Sequence, residues 1–187
     1  MKKTVIILLL AIGTIGSTAK NIISYSKSNT CVTLSTDDAG TLTIKPLTDN
    51  TVRVTFSKKA FRMMPEWIYV NKSKTPKFTV KEENGEIAVS LRHLTVKINR
   101  ATSQIKYVNE RGVQILAETN RSLTESLIGQ EKTYIAEQKF LSPSDEHLFG
   151  LGQFQDGYLD VRGLSRRLTQ VNTQISVPFI LSNKGYG

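Results

Sequence analysis

One cysteine, two histidines and no apolar run of membrane length are what this 187-residue chain offers in place of the usual chemical handles. A lone cysteine excludes an internal disulfide, so stability must come from a packed core, which a chain of this length can build. Cys31 sits in an alternation with Val32, Thr33, Leu34 and Ser35, where a buried structural thiol is expected. Two histidines exclude a His-rich metal cluster, and no metal ligand set or cofactor motif emerges. A Ser/His/Asp triad would have to use His93 or His147, and no serine lies in a G-x-S-x-G elbow. His93 falls in a strand-like run and reads as a sheet residue. Helical spacing of apolar residues at i, i+3 and i+4 is also missing. Glu118 to Gln130 is the one segment that admits a short helix, and it carries no sustained apolar stripe.

The apolar run that does occur is N-terminal. Lys2 and Lys3 form a positive region, Val5 to Ile15 an apolar one, and Ser17-Thr18-Ala19 a small-residue cleavage site. This run is far short of the roughly 20 residues that span a bilayer. Residues 1–19 are therefore expected to be a secretory signal peptide, with a periplasmic or extracellular protein as its product and no membrane span. Cys31 lies too far downstream of the cleavage site for lipid attachment. Removal of Lys2 and Lys3 lowers the formal net charge from +9 to +7. The remaining cations are scattered, and the tightest groups are the pairs Lys58-Lys59 and Arg166-Arg167. Such scatter, together with export, argues against a nucleic-acid partner.

Residues 20–30, polar and rich in Ser and Asn, are expected to be a flexible lead-in. From Thr30 onward short alternating runs are separated by turns. Thr30–Ser35 and Thr41–Lys45 flank Asp37-Asp38-Ala39-Gly40; Thr51–Phe56 alternates with period two; Trp67–Val70 is a short candidate strand. Further runs surround Glu83-Asn84-Gly85, Arg100–Ser103 and Asn109–Gly112, and Ser122–Ile128 and Tyr134–Leu141 extend the series. Turns every about 8–12 residues with alternating runs between them predict an all-β chain, an antiparallel sandwich or barrel over residues 31–187.

The stretch from Phe149 to Gly187 differs from the rest. It holds six of the 12 glycines and a dense set of amides, carboxylates and aromatics. Gly150-Leu151-Gly152 lacks the third glycine of a dinucleotide fingerprint. Asp156 and Asp160, as a strand, would stand roughly 13 Å apart, too far for the carboxylate pair of a retaining glycosidase, about 5–5.5 Å. Asp145-Glu146, next to Pro143, read as solvated turn residues. Binding groups are plentiful between Gln153 and Gln174: Gln155, Asp156, Asp160, Arg162, Gln170 and Asn172 can donate to or accept from vicinal hydroxyls. Phe154, Tyr158 and Tyr186 offer faces on which sugar rings stack. A polar loop whose amides cap its own backbone would have the same composition.

Phe149-Gly150-Leu151-Gly152-Gln153, Val177-Pro178-Phe179 and Ser182-Asn183-Lys184-Gly185-Tyr186-Gly187 resemble motifs of the N-terminal β-sandwich domain of glycoside hydrolase family 31, the α-glucosidase and α-xylosidase family. Gln155-Asp156-Gly157, Arg162-Gly163 and Gln170-Val171-Asn172-Thr173 match one bacterial branch, while the Asn-Arg-Asp triplet of other branches is absent. Weaker agreement reaches back to about residue 31. The resemblance implies a galactose mutarotase-like sandwich that precedes a catalytic (β/α)8 barrel carrying both catalytic aspartates. It implies no catalytic group and no cofactor in this chain, which would be inactive alone. Its partners would be its own downstream barrel and an α-linked glucoside or xyloside oligosaccharide. Asp160, Arg162 and Asn172 would be the substrate-binding candidates, and Gly150 and Gly152 would serve backbone geometry. The alternative is a stand-alone carbohydrate-binding sandwich without catalysis.

Overall fold

The computed structural model describes residues 20–58 and 74–187. The expected signal peptide and the candidate strand Trp67–Val70 lie outside the described residues. Within them the structure is built from β-strands alone. Four form one antiparallel sheet in the order β1 (Ile22–Lys27), β2 (Val32–Thr36), β3 (Thr41–Thr48), β4 (Thr51–Ser57). Six form a second, ordered β10 (Glu131–Phe140), β9 (Gln114–Ile128), β8 (Ile105–Asn109), β7 (Leu94–Asn99), β6 (Glu86–Ser90), β5 (Thr79–Glu83). The last pair, β11 (Leu148–Gln153) and β12 (Ile175–Ser182), stands apart as a two-stranded sheet.

Both large sheets are meanders in which each strand pairs with its neighbour in sequence, as short turns between alternating runs require. Asn84-Gly85 shows the chemistry. Both residues have positive φ, 51° and 75°, and Glu83 pairs with Glu86 across them. That is the two-residue hairpin loop that Asn-Gly favours, because its twist matches that of the strands.

The period of two decides what is buried. Val32 opposes Ile44 and Leu34 opposes Leu42 in the first sheet; Ile87 opposes Ile98 and Val89 opposes Val96 in the second. All eight side chains are fully buried and belong to one apolar cluster that draws on both sheets. The two faces pack into a sandwich, and truncating one such side chain to alanine costs about 2–5 kcal/mol.

Three sequence expectations need correction. The segment read as a lead-in is β1, laddered on β2 from Lys27↔Val32 to Ile22↔Thr36. Buried Ile22 anchors it and its amide donates to Arg100 O at 2.7 Å. Polar composition misled because an edge strand faces solvent along most of its length. Cys31 is half-buried rather than buried, since it lies on the outer side of the alternation that buries Val32 and Leu34. His93 lies in the turn before β7 rather than in a strand, where its amide donates to Asp49 O. Glu118–Gln130, the one stretch that admitted a helix, runs in extended conformation through most of β9, as the missing stripe implied.

The second sheet also contains a buried ion pair. Arg121 Nη1 donates to both oxygens of Glu118 at 2.9 and 2.8 Å, and its Nη2 donates to the carbonyl and hydroxyl of Ser103. Gln138 Nε2 adds a third bond to Glu118, and the Arg121 guanidinium lies 4.9 Å from the Phe56 ring. Burial raises the Glu118 pKa, and the Arg121 charge and the hydrogen bonds only partly offset it.

Candidate functional site

β11 and β12 form a hairpin whose connection is the long loop 154–174. Their ladder runs Leu148↔Ser182, Phe149↔Leu181 and Gly150↔Ile180, then slips, and resumes at Gly152↔Ser176 and Gln153↔Ile175. The slip leaves three residues of β12 opposite Leu151 and presses β12 carbonyls against β11. A Cβ on Gly150 would stand 2.4 Å from Phe179 O, and one on Gly152 would stand 2.0 Å from Ile175 O. Their φ values are 117° and 104°. Only glycine fits either place, so both glycines serve backbone geometry, as expected of them.

The foot of the loop is pinned by a knot of hydrogen bonds to segment 142–148. Asp160 Oδ1 accepts from the amides of Leu148 at 3.1 Å and Arg162 at 3.0 Å, and its Oδ2 lies 2.6 Å from His147 Nδ1. The His147 hydrogen bond first, then the two amides, lower the Asp160 pKa to about 2. Val161 between them is buried and donates to Leu148 O at 2.8 Å. Arg162 Nε donates to Ser142 Oγ at 3.1 Å and its Nη2 to Ser142 O at 3.3 Å.

Glu146 anchors the other side of the knot. It is 2% exposed, and its Oε1 accepts from Ser182 Oγ at 2.7 Å and Tyr186 OH at 2.6 Å. Burial acts to raise its pKa, but hydrogen bonds from Tyr186, Ser182 and Ser142 outweigh it and hold the carboxyl below its ordinary value. Burial and the Glu146 hydrogen bond push Tyr186 up to about 12. Asn183 and Lys184 add ties to Asp145, so the Ser182–Tyr186 segment is fastened to 145–147. The expectation that Asp145-Glu146 are solvated turn residues therefore fails for Glu146. Its donors come from 36 and 40 residues downstream, a separation that no local pattern announces.

Asp156 forms an ion pair with Arg166, whose guanidinium stacks 4.9 Å from the Phe154 ring and 5.9 Å from that of Tyr158. Desolvation acts to raise the Asp156 pKa, but the Arg166 hydrogen bond and charge and the Tyr158 amide prevail and lower it. Asn172 and Thr173 form the exposed apex of a tight turn closed by reciprocal Val171–Gln174 backbone bonds at 3.3 and 3.2 Å.

The three candidates thus separate. Asp160 and Arg162 come together in the knot, where both hold backbone, whereas Asn172 stands free at the turn. Asp156 and Asp160 are engaged by different partners, Arg166 and His147, and do not form an acid/base pair. Among the described residues no group of three or more His, Cys, Asp or Glu could hold a metal ion. On the loop, Tyr158, Leu159 and Val171, and on β12, Val177, Phe179 and Leu181, present large apolar side chains to solvent. Val177, Phe179 and Leu181, two residues apart along β12, share one side of the strand, and an exposed apolar face of this kind marks an interaction surface.

Comparison with known proteins bears directly on this arrangement. Residues 41–187 match the family model described as the glycosyl hydrolase 31 N-terminal galactose mutarotase-like domain. An α-xylosidase of Saccharolobus solfataricus is 34% identical over 125 residues, which is 59% of this chain and 17% of that protein. The crystal structure of a family 31 α-xylosidase from Xanthomonas citri superposes with a TM-score of 0.77 at 24% identity, covering 84% of this chain and 18% of that one. A family 31 α-xylosidase from a soil metagenome, solved with xylose bound, gives 0.75 at 23% identity, over 87% and 27% of the two chains. At these identities the superpositions establish the fold. The chain spans about a fifth of the length of the relatives it matches.

Proposed function

The chain belongs to glycoside hydrolase family 31 through its N-terminal galactose mutarotase-like domain, and from that premise we propose that it is the substrate-shaping domain of an exported, retaining α-glycosidase. The enzyme would be of α-xylosidase or α-glucosidase type and would hydrolyse α-linked oligosaccharides with a catalytic barrel that this domain itself does not provide. The observation that carries the reading is the 154–174 loop. It lies wholly within the matched residues, it is rigidly footed by Asp160, Arg162 and Glu146, and it projects amides and aromatics from a hairpin.

The proposal divides the labour among the candidates. Asp160 and Arg162 set the direction in which the loop leaves the sandwich, and Asn172 at its apex is free to hydrogen-bond a sugar hydroxyl. The apolar side chains of β12 supply the surface that seats the domain on the barrel. A two-stranded ribbon is marginal alone, so a partner on that face would also stabilise the hairpin. The Lys2–Ala19 pattern supports export. Steady-state kinetics of the enzyme carrying this domain, on p-nitrophenyl α-D-xyloside and α-D-glucoside, tests the proposal. Hydrolysis of at least one substrate is expected, and absence of both activities defeats it.

A further inference from the structure

We infer that the sandwich carries a second carbohydrate site, for a single pyranose ring, in a cleft at the strand ends outside the 154–174 loop. Three turns and one further segment converge there: the β3–β4 turn with Asn50, the turn before β7 with His93, the β8–β9 turn with Glu110 and Arg111, and residues 185–187, whose Tyr186 also bonds Glu146. The His93 amide bond to Asp49 O ties the first two together, so the walls are fixed by backbone. The cleft has a volume of about 630 Å³, within the range of small-ligand sites.

Its lining has the two surfaces that a pyranose needs. Val52, Leu94, Ile115 and Leu116 give an apolar floor for the C–H face of the ring. The rim is polar and largely committed in advance. His93 Nδ1 is hydrogen-bonded to Glu110 Oε2, which leaves Nε2 for a ligand hydroxyl. Asn109 Oδ1 accepts from the amides of Arg111 and Val113, both at 3.0 Å, so its Nδ2 remains as a fixed donor. Asn50 Oδ1 is likewise occupied, by the Thr48 and Thr51 hydroxyls. Two amide donors, an imidazole and the Arg111 guanidinium thus surround an apolar floor, and vicinal hydroxyls on a ring satisfy such a set. The sequence could not reveal this grouping, because His93 and Glu110 belong to different hairpins.

The two histidines make the test direct. In ¹H–¹³C spectra of this 187-residue chain titrated with D-xylose or D-glucose, His93 reports this cleft and His147 reports the foot of the long loop. The expected result is a saturable shift of the His93 signal with a Kd on the order of 1–10 mM, weakened at least about fivefold in Glu110→Gln and in Arg111→Ala. Arg111 is exposed, so its variant keeps the fold and any loss of response reads binding. A His93 signal that neither sugar moves at concentrations well above that Kd overturns the proposal. Binding as tight in both variants as in the unsubstituted chain overturns it as well. A shift of His147 alone places sugar at the long loop and also counts against this cleft.

Discussion

Replacing Gly152 with alanine should damage the β11–β12 hairpin far more than the same change at Gly157. Both glycines have positive φ, 104° and 77°, so both substitutions strain the backbone. The difference lies in the surroundings. A Cβ at residue 157 meets nothing within 4 Å, whereas at residue 152 it meets Ile175 O at 2.0 Å, Ile175 C at 2.9 Å and Val177 N at 2.9 Å. All three are backbone atoms that no rotamer change can move aside. Left-handed strain alone costs about 1–2 kcal/mol, which is the full expectation for Gly157→Ala. At 152 the strands must also part, losing about two ladder bonds worth roughly 0.5–1.5 kcal/mol each, so the total is about 2–5 kcal/mol. That is a large share of the roughly 5–15 kcal/mol that holds a domain folded. Urea denaturation of both variants measures the difference, and hydrogen exchange at Phe149 and Leu181 shows whether the hairpin opens by itself. Equal midpoints and equal protection in the two variants would refute the slipped register on which the loop's footing depends.

Other consequences can be checked on the same protein. Arg121→Ala leaves Glu118 buried without its cation and should cost about 3–5 kcal/mol by denaturant titration, with much of the loss recovered in a Glu118→Leu/Arg121→Met pair. Asp160 has a folded pKa of about 2, below the unfolded value of about 3.9, so its contribution is complete above the unfolded value and fades as pH falls toward 2. Asp160→Asn should flatten the loss of stability across that acid window, measured by thermal unfolding at stepped pH. Tyr186, held at about 12, acts at the other end: stability should fall from about pH 10 toward 12, and Tyr186→Phe should remove that fall. The exposed apolar face of β12 should make the isolated domain self-associate on size-exclusion chromatography, and a clean monomer would speak against that face as an interface.

The sandwich was legible because alternation is a local signal. Val32, Leu34, Leu42 and Ile44 declare one buried face at a spacing of two, and Asn84-Gly85 declares its turn within two residues. β1 was missed because one buried Ile22 among serines carries too little apolar weight to mark an edge strand. The site was legible only in part. Glycines and amides drew attention to 149–187, but composition could not separate Asp160 and Arg162, which hold backbone, from Asn172, which does not. Glu146 and His147 were invisible as anchors for a related reason: their partners are supplied by tertiary contact with 160 and 182–186. Residues in a buried polar network look like turn residues until the fold brings their donors to them.

A substrate-shaping role requires that the loop touch substrate. Asn172→Ala is the cleanest probe, since Asp160 and Arg162 variants would also loosen the knot. In the enzyme that carries this domain, kcat/KM for the preferred α-glycoside should fall about tenfold, equivalent to one lost hydrogen bond of about 1.4 kcal/mol, with the melting temperature unchanged. An unchanged kcat/KM would contradict a substrate-shaping role and leave the domain a structural support.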